Sequence, residues 1–414
     1  MVNVRKTALS LMFAALTCGF TLQFEDLPRL VRENNKTVTG SERFSEAAAK
    51  RTGHLARSYL PTIESYVGGE KLQTGSYASK TEPYGGVEAT INLFRGGKDL
   101  LESHIREAQQ VGADSTAQNT FIKELADARK TYWRLVSVRE SVSILRRALT
   151  QNEENLTVAK RRIARGLGTE TDRLEFEIYR GQIEEEIESL THGALLIEID
   201  LAARVGMNQG TRIQTDALIN HQHDEPLIAA AFDANEHPDL KSSRASQVGS
   251  VSLKSQKSRW WAPSLDLYGG YYLYTLRDRD YLAMRARDDT AVGVRLTVPL
   301  FDGLQSVTES RAASKQAQGY EEQSEQKERD LIAGAEVAKE DLKHAHELIH
   351  WAEDRIALGK KYLRQTLDEY GRGVKNSIDV LAAAQKYQLF ERQYAERRRD
   401  YQIARADLLA FFNR

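Results

Sequence analysis

Two periodicities divide the chain. Val87, Ala89, Ile91 and Leu93 alternate with Glu88, Thr90 and Asn92, and Val292, Val294, Leu296, Val298 and Leu300 repeat the pattern around Arg295 and Thr297. Alternation with a period of two sends the two sets to opposite faces of a sheet, one apolar and one hydrophilic. Leu265, Leu267 and Leu273 alternate in the same way with Ser264, Asp266 and Tyr268. Elsewhere the period lengthens. Leu331, Ala335, Ala338, Leu342, Ala345, Ile349, Ala352 and Ile356 recur at alternating steps of four and three, and an earlier stretch carries Leu125, Ala128, Tyr132, Leu135, Val142, Leu145 and Leu149. A 3.5-residue repeat rich in alanine predicts closely packed coiled-coil helices. No proline interrupts Lys98 to Ala164, which at ~1.5 Å per residue predicts an element on the order of 100 Å long.

One unit is written twice. VEATINLFRGG (Val87–Gly97) aligns with VRLTVPLFDGL (Val294–Leu304), placing Phe94 against Phe301, 207 positions on. RGLGTETDRL (Arg165–Leu174) aligns with RGVKNSIDVL (Arg372–Leu381) at the same spacing, and LPTIESYVGG (Leu60–Gly69) with APSLDLYGGY (Ala262–Tyr271) at 202. The predicted organisation is a signal segment at 1–20 and a first repeat at 21–207, with strands about 59–69 and 85–95 and helices 97–165 and 171–205. An equatorial linker at 208–235 leads to a second repeat at 236–414, with strands about 262–276 and 288–301 and helices 303–370 and 377–412. Gly96, Gly97 and Gly303 mark the strand-to-helix hinges, where a missing Cβ permits a sharp change of backbone direction. Gly166, Gly168, Gly371 and Gly373 mark the tip turns of antiparallel helical hairpins.

Composition agrees with a mainly α protein carrying a small β part. The 414 residues include 28% charged side chains, 58 basic against 59 acidic, and seven prolines, with a mean hydropathy of -0.53. The balanced charge argues against nucleic acid as a partner. Arg5 and Lys6 precede the apolar run Ala8 to Phe20, too short for the roughly 20 residues of a spanning helix but suited to a secretory signal. The only cysteine, Cys18, ends that run; it is either lipidated or removed with the signal, and no internal disulfide can form. No later segment is apolar enough to span a bilayer as a helix, so a membrane-embedded form must use strands. Trp260, Trp261, Tyr268, Tyr271, Tyr272, Tyr274 and Tyr281 crowd the second hairpin, and aromatic belts on apolar-out, polar-in strands mark transmembrane barrels. A half-buried soluble sheet is the alternative. Four strands cannot close a barrel, which needs about eight, so several chains would share one.

These parts together resemble the TolC-like outer membrane efflux protein family over nearly the whole chain. The opening TLQFEDLPRLVRENN (Thr21–Asn35) is similar to the family's TL-x-E-A-x-x-x-A-L-x-x-N start, with departures at Pro28 and Val31. The hinge VPLFDG (Val298–Gly303) and the tip GVKNSIDVLAAA (Gly373–Ala384) carry the most specific likeness. The resemblance implies long antiparallel coiled-coil helices and four strands per chain contributing to a shared twelve-stranded trimeric β-barrel. It further implies a homotrimer in the bacterial outer membrane with a long periplasmic portion. Its partners would be a periplasmic adaptor, an inner-membrane transporter of the RND or ABC type, and outer membrane lipid. No cofactor and no catalytic residue are implied.

The resemblance also implies a gate at the periplasmic tips, made by tyrosine, aspartate and arginine contacts and rings of aspartate. Asp172, preceded by Thr171, stands at the first tip; Tyr370 takes the tyrosine position, Lys375 the arginine position and Asp379 the first aspartate-ring position. Ala382 occupies the second ring position, a departure that leaves one carboxylate per chain at that level. Lysine lacks the planar fork of arginine, so an Asp172–Lys375 latch cannot be bidentate.

A rival motif is HELIH at 346–350, which fits the H-E-x-x-H pattern of zinc proteases. His344 is nearby, but Ala345 and Ile349 beside it belong to an unbroken heptad seam, and the first copy reads RESVS (Arg139–Ser143). His221 and His223, in the irregular stretch after Met207, could bind a metal weakly, but the pattern reads as loop histidines. The reading is therefore a gated exit duct without catalysis and without a metal site; an exported soluble coiled-coil scaffold is the alternative.

Overall fold

The computed structural model describes residues 20–72, 80–208, 212–215, 225–275 and 286–413. Cys18 and residues 1–19 of the expected signal lie outside them, as do His221, His223, Tyr281 and much of the expected linker. In chain order the elements are β1 (Phe20–Thr21), α1 (Leu27–Asn34), α2 (Lys36–Lys50), α3 (His54–Ser58), β2 (Thr62–Leu72), β3 (Lys80–Phe94), α4 (Lys98–Ala164) and α5 (Glu170–Arg204). There follow β4 (Ile213–Gln214), α6 (Glu225–Ala229), α7 (Pro238–Ser258), β5 (Ser264–Thr275), β6 (Ala286–Thr297), α8 (Gln305–Gly371) and α9 (Ser377–Phe411). The copies agree in length: α4 and α8 have 67 residues each, α5 and α9 have 35. The chain is mainly helical with one small antiparallel four-stranded sheet.

Two compact units share these elements, and one holds residues 43–116 and 238–327. Its sheet runs in the order β2-β3-β5-β6, antiparallel throughout. The register puts Ile63 opposite Ala89, Val87 opposite Tyr271, Ile91 opposite Leu267 and Leu267 opposite Val294, so the apolar sets of all four strands share one face. That face is bare: Val67 is 91% exposed, Val292 83% and Ile63 70%. The opposite face carries Glu64, Glu88, Thr90, Asn92, Asp266 and Arg295. On it Tyr272 donates to Glu88 at 3.0 Å, and the Arg295 guanidinium stands 3.8 Å from the same carboxylate and 4.5 Å from the Tyr268 ring centre.

The expected aromatic belt is divided between the faces. Tyr271 lies with the apolar set, whereas Tyr66, Tyr84 and Tyr268 lie on the polar face, each against a glycine directly across the strand pair. A Cβ on Gly68 would stand 2.5 Å from the Tyr84 ring, and one on Gly293 would stand 2.8 Å from the Tyr268 ring. The glycines therefore make room for rings that cover the backbone beneath them.

Strand limits shift from expectation for local reasons. β6 ends at Thr297, leaving Val298 and Leu300 outside it, because Pro299 has no N–H for the ladder and restricts the residue before it. β2 starts at Thr62, just after Pro61, and β3 reaches back to Lys80. At the hinges Gly96, Gly97 and Gly303 have φ of 66°, 71° and 71°. A Cβ on Gly96 would land 2.3 Å from the Ala262 Cβ, so that position has no alternative. The equivalent of Gly97 in the second copy is Leu304, which is forced to φ 68°. In this unit α7 also packs closely on α4, with Ala108, Gly112, Ala245 and Gly249 along the seam: Cβ atoms built on the two glycines would stand 3.5–3.6 Å from the alanine methyls.

The other unit holds the remaining described residues, within 1–42, 117–237 and 328–414. The heptad positions of the first copy, Leu125, Ala128, Tyr132 and Leu135, are buried with Leu27, Val31, Leu201 and Ile213. Those of the second, Leu342, Ala345 and Ile349, are buried with Tyr401 and Leu408. The Asn35 side chain accepts from Thr37 N at 2.8 Å, capping α2, and donates to the Arg204 carbonyl at 2.8 Å and to Glu124 at 3.0 Å. Gly206, at φ 71°, passes so close to Asn34 that a Cβ would meet its carbonyl oxygen at 2.4 Å.

Leucine in the left-handed region costs about 1–2 kcal/mol. Leu304→Gly should therefore stabilise the protein by roughly 1 kcal/mol after the entropy cost of glycine is subtracted, read as a higher unfolding midpoint followed by helical circular dichroism. Gly96→Ala should lower the midpoint by a larger amount. Equal midpoints for all three proteins would remove the hinge assignment.

Candidate functional site: the helical tips

Each tip is built from two local devices in series. The first closes the incoming helix. At the end of α4, Gly166 N–H donates to the Ile163 carbonyl and Leu167 N–H to the Arg162 carbonyl, both at 2.9 Å, with Gly166 at φ 72°. At the end of α8, Gly373 N–H donates to Tyr370 at 3.0 Å and Val374 N–H to Glu369 at 2.9 Å, with Gly373 at φ 79°. Both are Schellman closures around a left-handed glycine. Gly168 and Gly371, the other two expected turn glycines, do not enter the left-handed region.

The second device opens the return helix. Thr169 caps α5 and Asn376 caps α9, and in each case the acid three residues on returns the bond to the cap's N–H. These acids are Asp172, whose Oδ2 accepts from Thr169 N at 2.8 Å, and Asp379, whose Oδ2 accepts from Asn376 N at 3.2 Å. Two residues placed at the gate by resemblance are thus also the reciprocal acids of capping boxes. Thr171 lies exposed in the first turn of α5; the threonine that caps is Thr169.

Contacts between the hairpins differ in part from those expected. Asp172 Oδ1 accepts a short hydrogen bond from Ser377 Oγ at the start of α9. Lys375 turns to Asp379 on its own tip, at 3.8 Å, so Asp172 and Lys375 are not brought together within one chain. Tyr370 is 4% exposed, in a cluster with Phe176, Tyr179, Ile183, Val380 and Leu381. Its main partner is Arg162, a residue the motifs do not single out. The Arg162 guanidinium lies 4.2 Å from the Tyr370 ring centre, donates to the Tyr370 carbonyl, and reaches the Leu167 carbonyl at 3.2 Å. Arginine alone among cations can stack on a ring and bond two carbonyls at once. The second copy has Glu369 at the equivalent place, so this clasp exists once per chain.

Further along, Tyr179 on α5 donates to Gln388 on α9, Arg392 pairs with Glu186, Arg398 with Glu140, and Lys130 with Asp407 at 2.8 Å. The hairpins are joined by a row of polar and ionic contacts beginning at the tips. Burial and the Glu186 charge push the Tyr179 phenol up to about 12, so it remains a donor throughout the physiological range. Burial also raises the Tyr370 phenol, with Arg162 opposing.

HELIH forms no comparable centre. His346 and His350 meet edge to face, with ring centres 4.9 Å apart; His346 lies 5.8 Å from Tyr401, and His350 stands 3.5 Å from Glu353 on the next turn. Among the described residues no group of three or more His, Cys, Asp or Glu side chains is arranged to hold a metal, and no helix is long and apolar enough to cross a membrane.

A four-stranded antiparallel sheet on duplicated long helical hairpins is the fold of the TolC-like outer-membrane channels. Residues 234–414 match the family model for the outer membrane efflux protein. The chain is similar in structure to the outer membrane protein VceC of Vibrio cholerae, with 13% identity, 94% of this chain and 96% of that one covered, and a TM-score of 0.80. It is likewise similar to the CmeC outer membrane channel of Campylobacter jejuni, with 14% identity, coverage of 94% and 85%, and a TM-score of 0.79. The open state of the Neisseria gonorrhoeae MtrE outer membrane channel gives 15%, 94%, 88% and 0.74. No curated protein matches the sequence. The family and these structural neighbours are outer-membrane channels, not enzymes.

Burial works to raise the Asp172 carboxyl, but hydrogen bonds from Ser377 and from the Thr169 backbone and hydroxyl outweigh it and hold it below its ordinary 3.8. A lowered folded-state value means that its stabilisation is complete above about pH 4 and disappears as pH falls through the lowered value. Asp172→Ala should cost about 1 kcal/mol at neutral pH. The difference in unfolding midpoint from the parent should close as pH falls through that lowered value; a gap independent of pH would show that the carboxylate is not what acts.

Proposed function

We propose that the chain is one protomer of a homotrimeric outer-membrane exit duct, in which three copies of the sheet close a twelve-stranded barrel and the helical hairpins form a periplasmic tunnel. The observation that carries this reading is the sheet itself. Among the described residues β2 and β6 each have one neighbour, so each presents an open backbone edge along 11 and 12 residues, beside an apolar face left in the open. Edges of that length are a strong drive to associate, and in hydrocarbon each unsatisfied backbone group costs several kcal/mol. Pairing β6 of one chain with β2 of the next satisfies both edges and turns the apolar face toward lipid, with the Glu88–Arg295 face toward the lumen. A soluble scaffold offers no cover for the same face.

The tips are then the gate. Arg162 holds Tyr370, and Asp172 holds Ser377, so the second hairpin is clasped to the first in the closed state. Each such contact is worth about 1 kcal/mol net at a partly exposed site, giving several kcal/mol over three protomers. A periplasmic adaptor opens the duct only if it binds the parted tips more tightly by at least that amount. Solutes delivered by an inner-membrane transporter of the RND or ABC type then pass by conduction. Asp379, one per protomer, supplies the cation-attracting ring at the constriction, and Lys375 tempers it.

Native mass measurement in detergent should give a trimer; a monomer retained in lipid nanodiscs removes the barrel. Arg162→Ala with Ser377→Ala should raise single-channel conductance in planar bilayers several-fold, and an unchanged conductance excludes the clasp. Asp379→Ala should lower cation preference without opening the channel; identical ion selectivity excludes the ring.

A further inference from the structure

A cavity of about 230 Å³ lies where α4 and α5 of the first hairpin face α8 and α9 of the second. Tyr179, Leu363 and Ala384 supply apolar walls, and Tyr179 and Ala148 belong both to the cavity and to the cluster that seats Tyr370. Three buried carboxamides line the same space. Asn152 is 2% exposed and gives its Nδ2 to the Phe176 carbonyl at 2.9 Å. That bond fixes the amide, because a flipped side chain would set oxygen against oxygen. Asn152 Oδ1 is left buried in the wall without a hydrogen-bond partner. Asn155, nearly one turn on and 6% exposed, brings a second carboxamide with a donor and an acceptor. From the other hairpin comes Gln388, 8% exposed. Its Oε1 accepts from the Tyr179 hydroxyl, so its NH2 group is the end left to donate.

Charge on the lining is already matched. Arg147 and Glu391 stand 3.5 Å apart, and Tyr387 donates to the same carboxylate at 3.2 Å. An ion entering between the hairpins would lose its water without gaining a free countercharge, whereas a neutral molecule avoids that cost. Buried polar atoms without partners are few in folded proteins and call for an explanation. Apolar walls with a few fixed polar groups are the composition of small-molecule pockets. The second copy does not repeat the set: Gly359 and Tyr362 take the places of Asn152 and Asn155, and the Phe390 ring lies so near Gly359 that a Cβ there would stand 2.7 Å from it.

We propose that this cavity binds a small neutral carboxamide, lactam or urea. The ligand's N–H donates to Asn152 Oδ1, its carbonyl accepts from Gln388 or Asn155, and a planar apolar body lies against Tyr179 and Leu363. The space suits a body of about ten non-hydrogen atoms, below the size of a drug-like ligand. An occupant touches both hairpins. The site is complete within one chain, so it stands independently of the trimer and of the gate.

The test uses the full chain in detergent with benzamide, followed by saturation-transfer NMR of the ligand, with detergent micelles alone as the blank. Saturable binding with Kd on the order of 1 mM is expected for a ligand of this size. Benzoate, the same shape carrying a charge, should bind at least tenfold more weakly. Asn155→Leu, which keeps the bulk and removes the amide, should weaken benzamide about tenfold, and Ala384→Leu, which fills the wall, should abolish binding. The parent chain alone decides if the variants misfold: no saturable binding below about 10 mM overturns the site and leaves solvent as the partner of the amides. Equal binding of benzamide and benzoate, or benzamide binding undiminished in a folded Ala384→Leu chain, overturns it equally.

Discussion

A β-sheet that ends in open edges is an unfinished structure, and the molecule is organised around that fact. The backbone groups along β2 and β6 have to be paired, and the apolar face beside them has to leave water. Among the described residues nothing pairs those edges or covers that face, while the polar face is committed to Glu88, Arg295 and the tyrosines lying on glycine. The glycines are part of the same constraint. A wall in which bulky rings are laid flat over Gly68, Gly86 and Gly293 stays thin on its polar side while covering its own backbone, which a wall of ordinary side chains could not do.

Duplication supplies the rest cheaply, since one strand-helix-tip plan is used twice, and the informative places are those where the copies diverge. At the tips the shared parts are local: a left-handed glycine closes one helix, and a capping box opens the next, with Thr169 and Asp172 in one copy and Asn376 and Asp379 in the other. The parts that differ are the ones that touch across hairpins. Arg162 faces Tyr370, whereas its counterpart Glu369 sits in the second hairpin. Asp172 reaches Ser377, while Asp379 stays with Lys375. Symmetry builds two equal arms, and the broken symmetry joins them.

Much of this was legible in the residues. Alternation named the faces of the strands, heptads named the long helices and their buried positions, and the paired LF-x-G motifs named the hinges, because each pattern is a local response to burial or backbone geometry. The helices α1, α2, α3 and α7 were not legible: α1 and α3 have only eight and five residues, and α2 and α7, with 15 and 21, are mostly small and polar with few large apolar side chains to mark a seam. Nor was the limit of β6, where Pro299 outweighs a continuing alternation. At the tips the resemblance singles out Tyr370 and Asp172, but the residues they touch within the chain were not legible. Arg162 and Ser377 lie 208 and 205 residues away in sequence from Tyr370 and Asp172, and nothing in a terminal arginine pair or a serine after a capping asparagine announces such a contact. Leu304 is a different case: the repeat predicts glycine there, and the departure becomes visible as strain only once its φ is known.

At the very tips the contacts between hairpins are polar, which suits the gate proposed above. An apolar seam near the tips would hold firmly but would expose grease to water whenever it opened, at about 25 cal/mol for each Å² uncovered. Guanidinium, hydroxyl and carboxylate groups exchange protein partners for water at a net loss of about 1 kcal/mol each, so parting the outermost tip contacts costs little. The apolar cluster just behind them is shared by both hairpins, Phe176 and Tyr179 of the first against Tyr370 and Val380 of the second, and it gives Tyr370 a fixed seat. Tyr370 belongs to both regions: its ring is held in the cluster while its carbonyl and its ring face are offered to Arg162. Loss of the ring therefore loosens the seat and the clasp together, whereas loss of Arg162 frees the clasp and leaves the seat intact. The two residues are for that reason not equivalent probes of the proposed opening, and the arginine is the one whose loss spares the packing.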